Sequence, residues 1–239
     1  MKKILMIMAV AMAAMGCATA QNTVETQRFA FNKGDFGKLR VNDNVNVEYV
    51  ASADSAGYIV FECDPRAASD MLFTLDKETL KIETADEDAL RFRLPTIRVY
   101  SRFLSSVENS GDSTVYINSP APGAEISLRV VGNGSIVAKG LHAGTVNAKI
   151  DTGNGSIVLG GEASVEKLRN VGAGTIQAGG LKTQSAQIII GGTGSVDCWV
   201  TEDLSVKGLG SGKIYLKGDP KIKNRTLGSI KVVKMDQPE

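Results

Sequence analysis

The residues of this chain that most resemble reactive machinery are glycines. "VGNGSIVAKG" (Val131–Gly140) is echoed by "TGNGSIVLGG" (Thr152–Gly161), and "KGLGSGKI" (Lys207–Ile214) approaches a phosphate-binding loop. Such a loop needs a glycine, four residues, then Gly-Lys-Ser/Thr opening a helix, so that backbone amides and the lysine meet the phosphates. Here Lys207 stands where the first glycine belongs, Ile214 replaces the Ser or Thr, and a strand-like run follows. A dinucleotide fingerprint needs a third glycine three residues after the second and then a helix; "GNGSIV" and "GAGTIQ" lack it. The central residue of these turns varies through Asn133, Asn154, Ala173, Thr193 and Ser211. Corners in which Gly or Asn accepts positive φ account for that better than one chemical site.

Other reactive groups are few. His142, the single histidine, lies in "GLHAG" and reads as a solvated turn residue. A histidine metal cluster is thereby excluded, and any Ser-His-Asp triad would have to run through it. Asp151 and Asp197 fall two repeats apart, too far to act on one bond, and Asp86, Glu87 and Asp88 in "ADEDAL" read as a solvated turn. No catalytic residue, metal ligand or cofactor is assigned, and the chain is not expected to be an enzyme. Binding is expected on outward aromatic positions instead: Trp199, Tyr116 and Tyr215, with Asp197 beside them. An exposed aromatic ring can stack on a sugar or anchor a protein partner.

The elements that must carry these residues repeat. Aligned on the apolar residue after each turn, the copies begin at Val115, Ile136, Ile157, Ile176, Val196, Ile214 and Ile230, at intervals of 21, 21, 19, 20, 18 and 16 residues. Within each copy the pattern has period two. Ile136 and Ala138 point inward with Val137 outward, and the other copies follow suit. A second strand fills the other half of each copy: "EISLRV", "TVNAKI", "SVEKLR", "AQIII" and "DLSVKG". Nothing between the turns is long enough for a helix. One rung cannot bury its apolar column alone, so the copies must stack. The expected fold is all-β, a right-handed parallel β-helix or β-solenoid with rungs of about 20 residues and a less regular β-rich N-terminal part. In that part "LFTLDKETLKIET" reads as a hairpin turning at Lys77–Glu78.

Composition agrees. The 239 residues include 26 glycines against 6 prolines and only 5% aromatics, which favours short, tightly turning strands over a helical bundle. At the N-terminus Lys2, Lys3 and "ILMIMAVAMAAM" form an export signal too short to span a bilayer comfortably. Two ways of processing it fit: cleavage after Ala20, which is favoured, or lipidation of Cys17 at the end of "AMGC". Without Lys2 and Lys3 the basic count falls from 27 to 25 against 26 acids, a net charge of about −1, so nucleic acid is not an expected partner. Cys63 and Cys198 sit at apolar strand positions and are read as two buried thiols rather than a bridge.

From about Phe29 to Val233 the chain resembles the putative auto-transporter adhesin, head GIN domain family. The resemblance rests on "FGKLRVNDNVNVEYV", "ETLKIET", "IRVYSRFLSSVENSGDSTV", the returning "GNGSI" turns and the close "LKGDPKIKNRTLGSIKVV". Its most specific element is Gly218-Asp219-Pro220 followed by Gly228-Ser229-Ile230. It implies an exported, solenoid-like protein, common in Bacteroidota, with no established activity. The name's autotransport is not carried over, since no room is left for a translocating barrel. The expected layout is a signal peptide (1–20), a β-rich N-terminal part (29–106), a repeat solenoid (107–234) and a tail (235–239). The expected role is that of a cell-envelope adhesin or binding module in the periplasm, outer membrane or cell surface. Its partners would be an extracellular glycan or an envelope protein, with membrane attachment only through a lipidated Cys17 and self-association left open. A carbohydrate-active enzyme on a β-helix scaffold and a self-associating envelope scaffold are the alternatives.

Overall fold

The computed structural model describes residues 25–31, 34–63, 68–85 and 94–235. The export segment with Cys17 and the acids Asp86, Glu87 and Asp88 lie outside them. The described residues form one sheet of 17 strands that winds around itself. The repeats build two walls. The first wall runs through β9 (Thr114–Asn118), the leading halves of β11 (Ser135–Ile150), β12 (Ser156–Gly172), β13 (Thr175–Gly192) and β14 (Ser195–Gly210), then β15 (Lys213–Lys217) and β17 (Lys231–Lys234). The second runs through β10 (Gly123–Val130), the trailing halves of β11–β14 and β16 (Lys221–Gly228). All these pairings are parallel, so this is the expected solenoid. β11 to β14 run unbroken from wall to wall, and the bend is absorbed by register shifts at the corner, as between Ala138 and Leu141.

The core follows the alternation. Val115, Ile136, Ile157, Ile176, Val196 and Ile214 form one buried column, and Ile117, Ala138, Leu159, Ala178, Cys198 and Leu216 a second. One register differs from the sequence alignment. Ile214 pairs with Val232, not Ile230, so the last interval is 18 residues. Gly228 pairs with Gly210, which puts Ile230 at the turn position that Gly212 holds one rung earlier. There its Cδ1 packs over Gly208, where an added Cβ would come within 2.7 Å. An apolar side chain thus fills the turn of the last rung where earlier rungs use glycine.

The N-terminal part joins the same two walls in an order the chain does not follow. β2 (Lys38–Val41) and β3 (Val47–Ala51) form a rung that lies between β8–β9 on one side and β6–β7 on the other, where β6 is Thr79–Thr84, β7 Ile97–Ser101 and β8 Ser106–Asn109. Antiparallel strands then close the end. β1 (Glu25–Ala30) pairs with β4 (Tyr58–Cys63), β4 with β7, and β5 (Met71–Asp76) with β6 through the expected turn at 77–78. Phe29, Phe61 and Phe73 meet beneath them with ring centroids 5.3–5.7 Å apart. That aromatic plug packs against the core at this end. Cys63 and Cys198 carry buried thiols, as expected.

Candidate functional site

The glycine turns are architecture. The amides a phosphate would need are spent on the rung below. Gly155 donates to the Gly132 carbonyl at 3.0 Å, Ser156 to Gly134 at 3.0 Å, Thr175 to Gly155 at 3.0 Å and Ser211 to Gly192 at 3.0 Å. Two buried asparagines staple the turns. Asn109 Nδ2 donates to the carbonyls of Ser113 (2.8 Å) and Ser135 (3.1 Å), and Asn170 Nδ2 to those of Gly174 (2.7 Å) and Ser195 (3.2 Å). Each thereby joins its own turn to the next rung. Asn154, by contrast, is exposed, and its backbone amide, not its side chain, donates to Asn133 Oδ1. Asn154→Ala is expected to change stability by no more than about 0.5 kcal/mol. The chain should take up no inorganic phosphate in a calorimetric titration, with or without that change.

A better site lies at the corner between the walls. The register places His142 beside Glu162, Glu162 beside Lys182, Lys182 beside Trp199 and Trp199 beside Lys217. At a strand spacing of about 4.8 Å this is a straight row of roughly 19 Å. The Lys217 Nζ sits 3.6 Å from the Trp199 ring centroid and the Lys182 Nζ 5.7 Å from it, so the half-buried indole is held by cation–π contacts. Next to the row runs an open groove of about 390 Å³. Its floor is Ala143, Ala163 and Thr183, with His142, Glu162 and Lys182 on one bank and Ser164 and Gln184 on the other. The physical cause is alternation: floor residues turn inward while both flanking positions face solvent. Small floor residues keep the groove open.

The residues expected to bind are only partly brought together. Trp199, Asp197 and Tyr215 share two adjacent rungs of the first wall, since Asp197 pairs with Tyr215. Tyr116 stands in the same outward column but at its far end, 42% exposed. Asp197 serves the fold, since its Oδ1 accepts the Gly179 amide at 3.0 Å and ties down the corner. Asp151 is bound to Arg129, whose guanidinium also pairs with Glu108 at 2.9 Å. His142 is exposed, as expected, but stands within β11 rather than in a turn. Among the described residues, no group of three His, Cys, Asp or Glu could hold a metal ion.

Glu166 is a residue that the sequence pattern did not single out. It occupies an inward position of the second wall, in register with Val146 and Ala186, and is fully buried. Neither carboxyl oxygen has a hydrogen-bond partner, because the nearby Thr183 hydroxyl donates to the Trp199 carbonyl at 3.1 Å. Burial pushes its pKa well above the ordinary range and the Asp197 charge reinforces the shift. The Thr183 hydroxyl would lower it by donating to the carboxylate, but its proton is committed to the Trp199 carbonyl. Burial likewise raises the Cys198 thiol far above its usual value, so that thiol is unreactive. Aligned letter for letter, "SVEKLR" and "TVNAKI" set Glu166 against Asn147; only the one-residue offset of the actual register puts it in the apolar column of Val146 and Ala186.

Solved structures share this fold. A "putative adhesin" from Bacteroides fragilis superposes with a TM-score of 0.76 at 21% identity, covering 90% of this chain and 96% of that one. A "putative adhesin" from Parabacteroides distasonis gives 0.73 at 20% identity, with 90% and 98% covered. A "putative lipid binding protein" from Parabacteroides distasonis gives 0.70 at 20% identity, with 89% and 97% covered. No curated protein matches the chain. The family model described as "Putative auto-transporter adhesin, head GIN domain" matches residues 35–220, across both walls and the corner groove, and the chain belongs to that family.

Proposed function

We propose that the chain is an exported, non-catalytic binding module of the cell envelope, adhesive in kind, that holds an extended glycan along the corner groove. The observation that carries this reading is the row His142–Glu162–Lys182–Trp199 beside the groove. It offers hydrogen-bond donors and acceptors at a regular spacing and an aromatic ring at one end. Hydroxyl-rich rings are recognised by that combination. An acyl chain would need a deep apolar cavity, whereas this groove is open and polar-banked. The family's adhesins and the fold's solenoid surface support a binding role, and contacts repeated from rung to rung would add avidity.

Screening the folded protein on a glycan array and repeating the positive interactions with Trp199→Ala and Gln184→Ala tests the reading. Each variant should bind about tenfold more weakly, the worth of one stacking or hydrogen-bonding contact. Unchanged binding in both would remove the groove from consideration. Release of shortened oligosaccharides would show a hydrolase or lyase instead.

A further inference from the structure

The two ends of the solenoid are unlike. The N-terminal end is closed by antiparallel strands and the phenylalanine plug. At the other end, among the described residues, β16 pairs only with β14 and β17 only with β15, so each keeps one unpaired edge. The core columns stop there too. Ile222 stands in register with Leu204, which is 1% exposed, yet Ile222 itself is 41% exposed. Leu209, Leu227, Val233 and Met235 are also exposed in these last two rungs. Charge gathers in the same place: residues 213–235 hold seven Lys or Arg against one acid, Asp219, which is bonded to Lys234. Along β16 the bases Lys221, Lys223 and Arg225 alternate with Ile222, Asn224 and Thr226.

Lysines on an edge are a known guard against edge-to-edge pairing, and here they bar the same edge of a second copy. They do not explain why a core residue such as Ile222 is left open, or why exposed apolar side chains collect there. We infer that the β16 edge receives an extended acidic segment of another protein as an added strand. In the register of the stack, that strand sets an apolar residue over Ile222 and acids over Lys221, Lys223 and Arg225. Its backbone pairs with the amides and carbonyls that β16 leaves to solvent. The free edges at the other end of a second copy lack this pattern: β1 reads "ETQRFA", and Asp76 is the single acid of β5. A lipid surface offers no hydrogen-bonding ladder to a strand edge. This inference stands apart from the groove and does not depend on it.

The test uses the folded chain and a labelled synthetic peptide in which glutamates alternate with valine and threonine. A peptide of the same composition with its glutamates gathered at one end is the control. By fluorescence anisotropy the alternating peptide should bind, and more tightly than the control. The affinity should fall severalfold from low to physiological salt. Binding should protect the amides of 221–228 from hydrogen exchange. Lys221→Glu/Lys223→Glu/Arg225→Glu should weaken it about tenfold or more with the melting temperature kept. Ile222→Asp leaves the basic row intact and should weaken it as well. Equal binding of both peptides, salt-independent binding, or protection elsewhere in the chain would overturn the inference. So would capture by phosphatidylglycerol vesicles without peptide binding, which assigns the patch to a lipid surface. Protection of 221–228 on raising the protein concentration alone would assign it to a second copy.

Discussion

Glu166→Leu is expected to make the protein more stable at neutral pH, by about 1–4 kcal/mol. Glu166 is buried in a column whose neighbours in register are Val146 and Ala186, and neither of its oxygens is hydrogen-bonded. A leucine fills similar space and removes a buried carboxyl whose two oxygens are unpaired. The effect should also depend on pH, with a definite sign. In the folded chain the carboxyl is raised well above the ordinary value of 4.5 by burial, whereas in the unfolded chain it titrates normally. The folded state therefore holds a proton that the unfolded state releases above about pH 4.5. Glu166's contribution is fully present below that pH and is lost as pH rises toward the folded value, at up to about 1.4 kcal/mol per pH unit. Urea unfolding at a series of pH values should show the stabilisation by Glu166→Leu growing from acid to neutral conditions. Glu166→Gln should abolish this group's share of the slope while keeping the amide's polarity. A constant difference across pH 4–8 would mean that the carboxyl ionises freely.

The second large effect concerns two adjacent glycines that the sequence cannot tell apart. Gly192 has φ of +128°, and a Cβ there would lie 2.6 Å from the Gly172 carbonyl oxygen of the rung below. Gly191 has no positive φ, and the nearest atoms its Cβ would meet belong to the Val171 side chain, at 3.7 Å, an ordinary van der Waals contact. Gly192→Ala must therefore combine a strained conformation with a collision against backbone, which cannot move without breaking the ladder. It is expected to cost about 3 kcal/mol or more, lowering the melting temperature by roughly 6–12 °C. Gly191→Ala should stay within about 0.5 kcal/mol and lean toward stabilisation, because alanine restricts the unfolded chain. Thermal melts of the pair decide it. Equal melting temperatures would mean that the turns are held by something other than close backbone stacking.

The repeat was legible because its chemistry is local: an apolar residue returning at a spacing near 20 must meet its copy one rung away. The hairpin at 77–78 was legible for the same reason. The order of the N-terminal rungs was not. Alternation says that β2, β3, β6 and β7 each have a buried face, but it carries no address for the neighbour. Only the assembled walls place the β2–β3 rung between two rungs that follow it in the chain. The last copy misled because Ile230 looks like the start of a strand, while the glycine-to-glycine pairing of Gly228 with Gly210 sets the true register.

The candidate site divides along the same line. From the sequence alone come the solenoid period, the structural nature of the glycine turns and the outward position of Trp199. The groove is a tertiary product. Gln177 pairs with Asp197, but after the corner Lys182 pairs with Trp199, so three residues are absorbed by the bend. Counting along the chain therefore cannot place His142, Glu162, Lys182 and Trp199 in one row. The backbone has to turn first, and how many residues each rung spends on the corner is settled by packing between rungs.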